Sequence, residues 1–242
     1  MFSSRADIIE RLKKDILPLQ GFRPALNEKI TTGLGLIERS FPNNTFPLGA
    51  IHEFICHDAE AVAASAGFIA GIVAKLMQHN GTAIWIGSPV IVFPVSLKSF
   101  GIDPDKIIFV NPQNEKQVLW AMEESLKCNG LTTVIGEIPE LSFTVSRRFQ
   151  LAVEQSGVTG FVVRKKPRNL TTTACITRWK ITSLPSRAPY EMPGVGFPCW
   201  NVELLKVRNG RSGVWKMEWR QQQFHHIPQT ETIWKPLQRK TG

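Results

Sequence analysis

Hydrophobic and polar positions change rhythm twice along the chain. From Ser3 to Leu17, Ile8, Leu12 and Ile16 recur four apart with Ile9 beside them, and Arg, Lys, Asp and Glu fill the other face. That spacing predicts an amphipathic helix ended by Pro18. Gln20–Thr32, with Gly21, Pro24 and Asn27, reads as a linker. The helix either packs on its own domain or is a detached arm that docks on a partner; the linker behind it favours the arm.

From Ala50 the pattern alternates. Apolar runs predict strands at Ala50–Ile55, Thr82–Ile86, Ile107–Val110, Leu131–Ile138 and Gly160–Val163. Helical periods predict helices at Ala59–His79, Pro94–Phe100, Asn114–Asn129 and Ser142–Ser156. Small residues in the first of these (Ala63, Ala66, Gly67, Ala70, Gly71) allow close packing on a sheet. Phe46–Gly87 is thus a strand–helix–strand unit. After Val163 the helices stop. Thr171–Leu184, Trp200–Val207 and Trp215–Phe224 read as longer strands, with Asn209-Gly210 and Gly213 marking a hairpin or tight loop. The predicted fold is α/β, with a sheet that is mostly parallel at its centre and antiparallel at its C-terminal edge. The expected divisions are an arm over 1–20, a linker over 21–32, a core over 33–227 and a polar tail over 228–242. No internal repeat is visible.

Composition bounds this picture. The 242 residues are 43% apolar, with 7 Trp and 14 Phe, enough for a sizeable core. No window holds eighteen consecutive apolar residues, so no membrane span is expected. Met1-Phe2-Ser3-Ser4-Arg5 runs into charged residues, so no secretory signal is expected. Cys56, Cys128, Cys175 and Cys199 are scattered, without a C-x-x-C pair, and read as reduced cytosolic thiols rather than zinc ligands or disulfides. The net charge of +9 is uneven: residues 160–242 hold 15 Lys and Arg against 4 Asp and Glu, while residues 1–159 stand at −2. A basic C-terminal third points to a polyanion, most often nucleic acid; the alternative is a solvated basic surface.

The loop that would cradle phosphates in a nucleotide-binding strand–helix unit spans Cys56–Ser65. It has no glycine to bring backbone amides close and no lysine to neutralise phosphate. Asp58 and Glu60 would repel a triphosphate at the helix N-terminus, where the dipole should attract it. Ser65 is present without its lysine, so no ATP cofactor is expected. Glu137 ends an apolar strand, where an acid could hold a metal through water. With the lysine missing, pairing with a neighbouring residue is favoured. The histidines His52, His57, His79, His225 and His226 form no metal set. Arg164, Lys165, Lys166 and Arg168 form a basic run on a predicted loop, suited to phosphates or to an acidic partner surface.

Several runs together resemble a known family. T-T-G-L and F-P-L-G-A-I-H-E-F-I within 31–55 are similar to the lead into the phosphate loop of the RecA fold. L-T-T-V-I-G-E-I at 131–138 falls where that fold has its acidic Walker B strand. N-V-E-L-L-K-V-R-N-G-R-S-G-V-W-K at 201–216 resembles its late strand pair. With the lost phosphate loop and A-C-I-T-R-W-K-I-T-S-L-P-S at 174–186, the pattern looks most like the ImuA family. This resemblance covers about residues 30–225. It implies a RecA-like core and a non-catalytic accessory role in SOS-induced, error-prone translesion synthesis. Implied partners are an ImuB-like relative of Y-family polymerases, a DnaE-type polymerase, RecA and DNA, in the cytoplasm and at the nucleoid when engaged. By position, 164–169 matches a DNA-binding loop, and Lys206 and Arg208 match residues that reach a neighbour's ATP in RecA. The N-terminal helix matches a protomer-docking arm. Two other readings stay open: a SulA-like division inhibitor, and a RecA-fold ATPase with a non-standard pocket.

Overall fold

A computed structural model describes residues 31–78, 80–90, 92–187 and 196–228. One nine-stranded sheet organises them. In chain order the strands are β1 (Ile51–Cys56), β2 (Ala83–Ile86), β3 (Ile107–Val110), β4 (Thr133–Ile138), β5 (Thr159–Lys165), β6 (Thr177–Arg187), β7 (Phe197–Val207), β8 (Gly213–Arg220) and β9 (Gln223–His226). The helices are α1 (Ala59–Leu76), α2 (Glu115–Leu126) and α3 (Phe143–Ser156). The spatial order is β3-β2-β4-β5-β1-β6-β7-β8-β9. Pairings are parallel from β3 through β6 and antiparallel from β6 to β9. The α/β sheet expected from sequence, parallel with an antiparallel C-terminal edge, is the one observed.

β1 lies between β5 and β6 with helices over both faces, which is why all six of its residues are buried. On one face α1 covers an aromatic core. Phe54 stacks on Trp179 at 6.0 Å, and Phe68 meets Trp179, Trp200 and Phe224. Small residues let α1 approach this closely: a Cβ on Gly71 would fall 2.5 Å from Phe224. On the other face α2 and α3 bury Val118, Met122, Leu126, Phe149 and Val153 against Ile51, Val134 and Val162. α1 is apolar and long enough to cross a membrane, but most of it is buried on this sheet.

Helix starts follow their caps. Asp58, Asn114 and Ser142 each accept a backbone N–H from the first turn, of Ala61, Gln117 and Val145 respectively. Pro94–Phe100 is a 3₁₀ helix with the expected bounds, stopped by left-handed Gly101. Several expected bounds need correction: β6 runs on to Arg187 and β7 begins at Phe197, each three residues beyond its expected limit. Thr171–Thr173 and the three residues after it form a loop rather than the start of β6, because side chains capture that segment. Trp215–Phe224 is two strands joined by a turn at Gln221-Gln222, both left-handed (φ 52° and 57°). β5 runs to Lys165, two residues past its expected end. The N-terminal helix with Ile8, Ile9, Leu12 and Ile16, His79, most of the linker and nearly all of the tail lie outside the described residues.

Candidate functional site

Alternation along β1 sends His52, Phe54 and Cys56 toward α1 and Ile51 and Glu53 toward α3. Two charged centres result, one near the C-terminal ends of the strands on the α1 face and one on the opposite face.

The first centre occupies the phosphate-loop region. Asp58 points its carboxylate at its own helix, accepting the Ala61 N–H at 2.7 Å. A carboxylate thus already complements the positive end of the α1 dipole. Glu60 is exposed and accepts from the Ser183 hydroxyl. Ser65 is buried and receives the Cys56 thiol at 3.2 Å. Burial pushes that thiol up to about 11. Glu137 is buried; one oxygen accepts the Trp85 indole N–H at 2.7 Å and the other meets the Lys165 ammonium at 3.1 Å. Lys165 also approaches the Pro89 carbonyl at 3.4 Å. The remnants are therefore coupled to protein groups. A carboxylate occupies the helix N-terminus and Lys165 neutralises the strand-end acid, an arrangement that disfavours a triphosphate at this position. Among the described residues no three His, Cys, Asp or Glu converge to hold a metal.

The second centre is one that sequence reading missed. Glu53 is fully buried, and its carboxylate accepts from Arg164 Nη1 at 2.9 Å, Arg178 Nε at 2.8 Å and the Thr173 hydroxyl at 2.9 Å. Arg164 reaches on to Glu140 at 2.9 Å and to the Asn169 carbonyl at 3.0 Å. Glu140 accepts the Arg168 backbone N–H, and Arg178 donates to the Thr171 carbonyl. Lys206 and Arg208, from β7 and just past it, donate to the carbonyls of Thr173 and Ala174 at 3.0 and 2.8 Å. The chain after β5 is thus held by side chains from β1, β5, β6 and the end of β7. The one available signal was the single acid inside A-I-H-E-F-I; a charge in a buried strand demands partners.

These contacts sort the expected basic residues. Arg164 is fully buried, a correction to its expected surface role, and Lys165 turns inward to Glu137. The cause is the longer β5, which carries one to each face of the sheet. Lys166 and Arg168 are exposed on the loop beyond it. Lys206 and Arg208 are half-buried against their own chain's loop. Burial, followed by the neighbouring Arg178 cation, pushes Lys206 below its ordinary range; burial does the same to Arg208.

No family model matches the chain. It is 31% identical over 194 residues to Protein ImuA of Caulobacter vibrioides strain NA1000 / CB15N, covering 75% of this chain and 80% of that protein. Protein ImuA of strain ATCC 19089 / CIP 103742 / CB 15 matches with the same identity and coverage.

Proposed function

The chain belongs to the ImuA family, and on that premise we propose that it is a non-catalytic accessory subunit of SOS-induced, error-prone translesion DNA synthesis. It works in the cytoplasm, at the nucleoid when engaged, and bridges RecA and DNA to an ImuB-like polymerase relative and a DnaE-type polymerase. The observation that carries this reading is the state of the phosphate-loop region. Asp58 occupies the helix N-terminus and Lys165 neutralises Glu137, so the sheet retains the architecture of a nucleotide fold without its chemistry. What it offers instead is surface: exposed Lys166 and Arg168 on a braced loop, suited to phosphate contacts.

The test is affinity purification of the tagged chain from cells after DNA damage. The expected result is recovery of the ImuB-like protein and the DnaE-type polymerase, with RecA. Recovery of none of the three, or nucleotide hydrolysis by the purified chain that requires Glu137, overturns the reading.

A further inference from the structure

α2 and α3 cover the second face of the sheet over its parallel half, and among the described residues no helix continues that layer over β6, β7 and β8. Alternation fixes what this open face carries. Trp179 and Ile181 of β6, Val202 and Leu204 of β7, and Met217 and Trp219 of β8 point into the core under α1. Lys180, Glu203, Val214 and Lys216, which are cross-strand neighbours, therefore point the other way. So does Arg178, whose guanidinium meets Glu53 there. The β7 register shift opposite Arg178 and Trp179 sets both Leu205 and Lys206 on this side. Leu205 and Val214 are exposed. α3 stands beside this floor as a wall. Ala174 joins the two: its N–H donates to Ser146 Oγ of α3 at 2.9 Å, and its carbonyl accepts from Arg208 at 2.8 Å. Along the flank of α3 next to Arg208, Phe143, Arg147 and Leu151 recur four apart, all exposed. Floor and wall form a step on which exposed apolar side chains alternate with cations.

We propose that this step binds an amphipathic helix of a partner protein, apolar along the side that meets Leu151, Leu205 and Val214 and acidic along its flanks. The space fits one helix. α2 lies over β4 and β2, and α3 over β1 and β5. The open floor from β6 to β8 is about 10 Å across, the width of one further helix in the same layer. Charge selects the partner. The floor carries Arg178, Lys180, Lys206 and Lys216, with Arg220 farther along β8; Arg147 and Arg208 line the wall. The acids are fewer, and most are engaged. Glu203 pairs with Lys180, and Glu154 with Arg147. Glu53 and Glu140 are held by Arg164, which is buried beneath. Glu218 on β8 is the remaining one. With Arg164 included, eight cations stand against these five acids. Lys206 is held below its ordinary range by burial and then by Arg178, so a carboxylate arriving beside it is favoured. Its ammonium has three donors and gives one to the Thr173 carbonyl. The apolar side chains separate this partner from nucleic acid. Phosphates gain nothing from Leu151, Leu205 and Val214, whereas the stripe of a helix buries them. The inference goes beyond the proposed repair role and does not rest on it.

The experiment uses the full chain and a fluorescein-labelled helical peptide with Leu along one stripe and Glu along both flanks. Anisotropy reads binding, and protection of Lys180 and Lys216 from acetylation reads the site. The expected result is saturable binding with both lysines protected. Arg147→Glu/Lys216→Glu and Leu205→Ser/Val214→Ser should each weaken it about tenfold or more, with thermal melts showing that both proteins fold. Where the second pair melts early, the exposed Arg147→Glu/Lys216→Glu pair and the peptide series decide. Lys166→Gln/Arg168→Gln, outside the step, should leave binding unchanged. Peptides with Ser in place of Leu, or Lys in place of Glu, should bind at least about tenfold more weakly. Absence of saturable binding, or protection at lysines other than these two, overturns the proposal. Full affinity of the folded Leu205→Ser/Val214→Ser protein also overturns it, because the contact is then charge alone. Single-stranded DNA that protects the same lysines and displaces the peptide at lower concentration overturns it in favour of a phosphate surface. A dimeric parent that Leu205→Ser/Val214→Ser makes monomeric overturns it in favour of a second copy.

Discussion

At the residue scale, buried polar groups are informative because each needs a complete set of partners. His52 is fully buried, stacked on Phe46 at 4.3 Å. The Trp179 indole N–H donates to Thr177 Oγ1 at 2.7 Å, leaving the Thr177 hydroxyl to donate to His52 Nδ1 at 2.7 Å. The remaining N–H at Nε2 then donates to the Pro47 carbonyl at 2.8 Å. This chain of donors needs a neutral ring, and burial lowers His52 from 6.5 to about 3. Because the folded value lies below the unfolded one, the unfolded chain takes up the proton first as the solution is acidified. The stability from the neutral ring is complete above the unfolded value and is lost progressively as pH falls from about 6.5 toward 3. Between pH 7 and pH 5 the loss is about 2 kcal/mol. Urea unfolding across that range should show it. In a His52→Gln protein the pH dependence should flatten by about that amount; equal slopes in the two proteins would refute the assignment.

At the element scale, the loop between β5 and β6 is shaped by ions rather than by its own propensity. Thr171-Thr172-Thr173 reads as β-former sequence, yet its carbonyls and hydroxyls are claimed by Arg178, Lys206 and Glu53 before β6 begins. Removing Glu53 leaves Arg164 and Arg178 without their shared counterion, one of them in full burial. Glu53→Ala should therefore cost about 3–5 kcal/mol and loosen the loop, read as lowered urea midpoint and early proteolysis near Lys166. A loss below about 1 kcal/mol would show that the pairs contribute little. The same loop shows where sequence stops being legible. The central strands, three capped helices and Pro94–Phe100 could be read because periodicity, caps and prolines act within a few residues. The contacts at Glu53 join residues more than a hundred positions apart, so no local pattern contains them. The Gln221-Gln222 turn was hidden for a different reason: glutamine is not a usual left-handed turn residue, and tertiary pairing of β8 with β9 imposes the geometry. At the phosphate-loop region the missing glycine and lysine were visible, but the Lys165–Glu137 pair depended on how far β5 extended.

At the scale of the whole molecule, the surplus of +11 in residues 160–242 is divided between structural and exposed cations. Arg164, Lys165 and Arg178 are engaged by Glu53, Glu140 and Glu137, so much of the charge visible in the sequence does not face solvent as free positive potential. Lys166 and Arg168 on the braced loop, with Arg211, Lys216 and Arg220, remain exposed. A braced loop presents its cations with little ordering cost, which suits phosphate contacts better than a floppy one. If Lys166 and Arg168 each meet a phosphate of duplex DNA, neutralising one should reduce the slope of log affinity against log salt by about 0.9, and neutralising both by about twice that. Lys166→Gln and Arg168→Gln remove charges outside both buried centres, so folding should be unaffected. Lys165→Gln should behave oppositely: it lowers stability by uncovering Glu137 and leaves the slope of the folded protein nearly unchanged. Fluorescence anisotropy of labelled DNA titrated at several salt concentrations, run beside thermal melts, separates the two effects. An unchanged slope in the Lys166→Gln/Arg168→Gln protein would remove the loop from the DNA-contact surface, and a flattened slope in Lys165→Gln would show that the ion pair with Glu137 opens to release that lysine to the phosphate backbone.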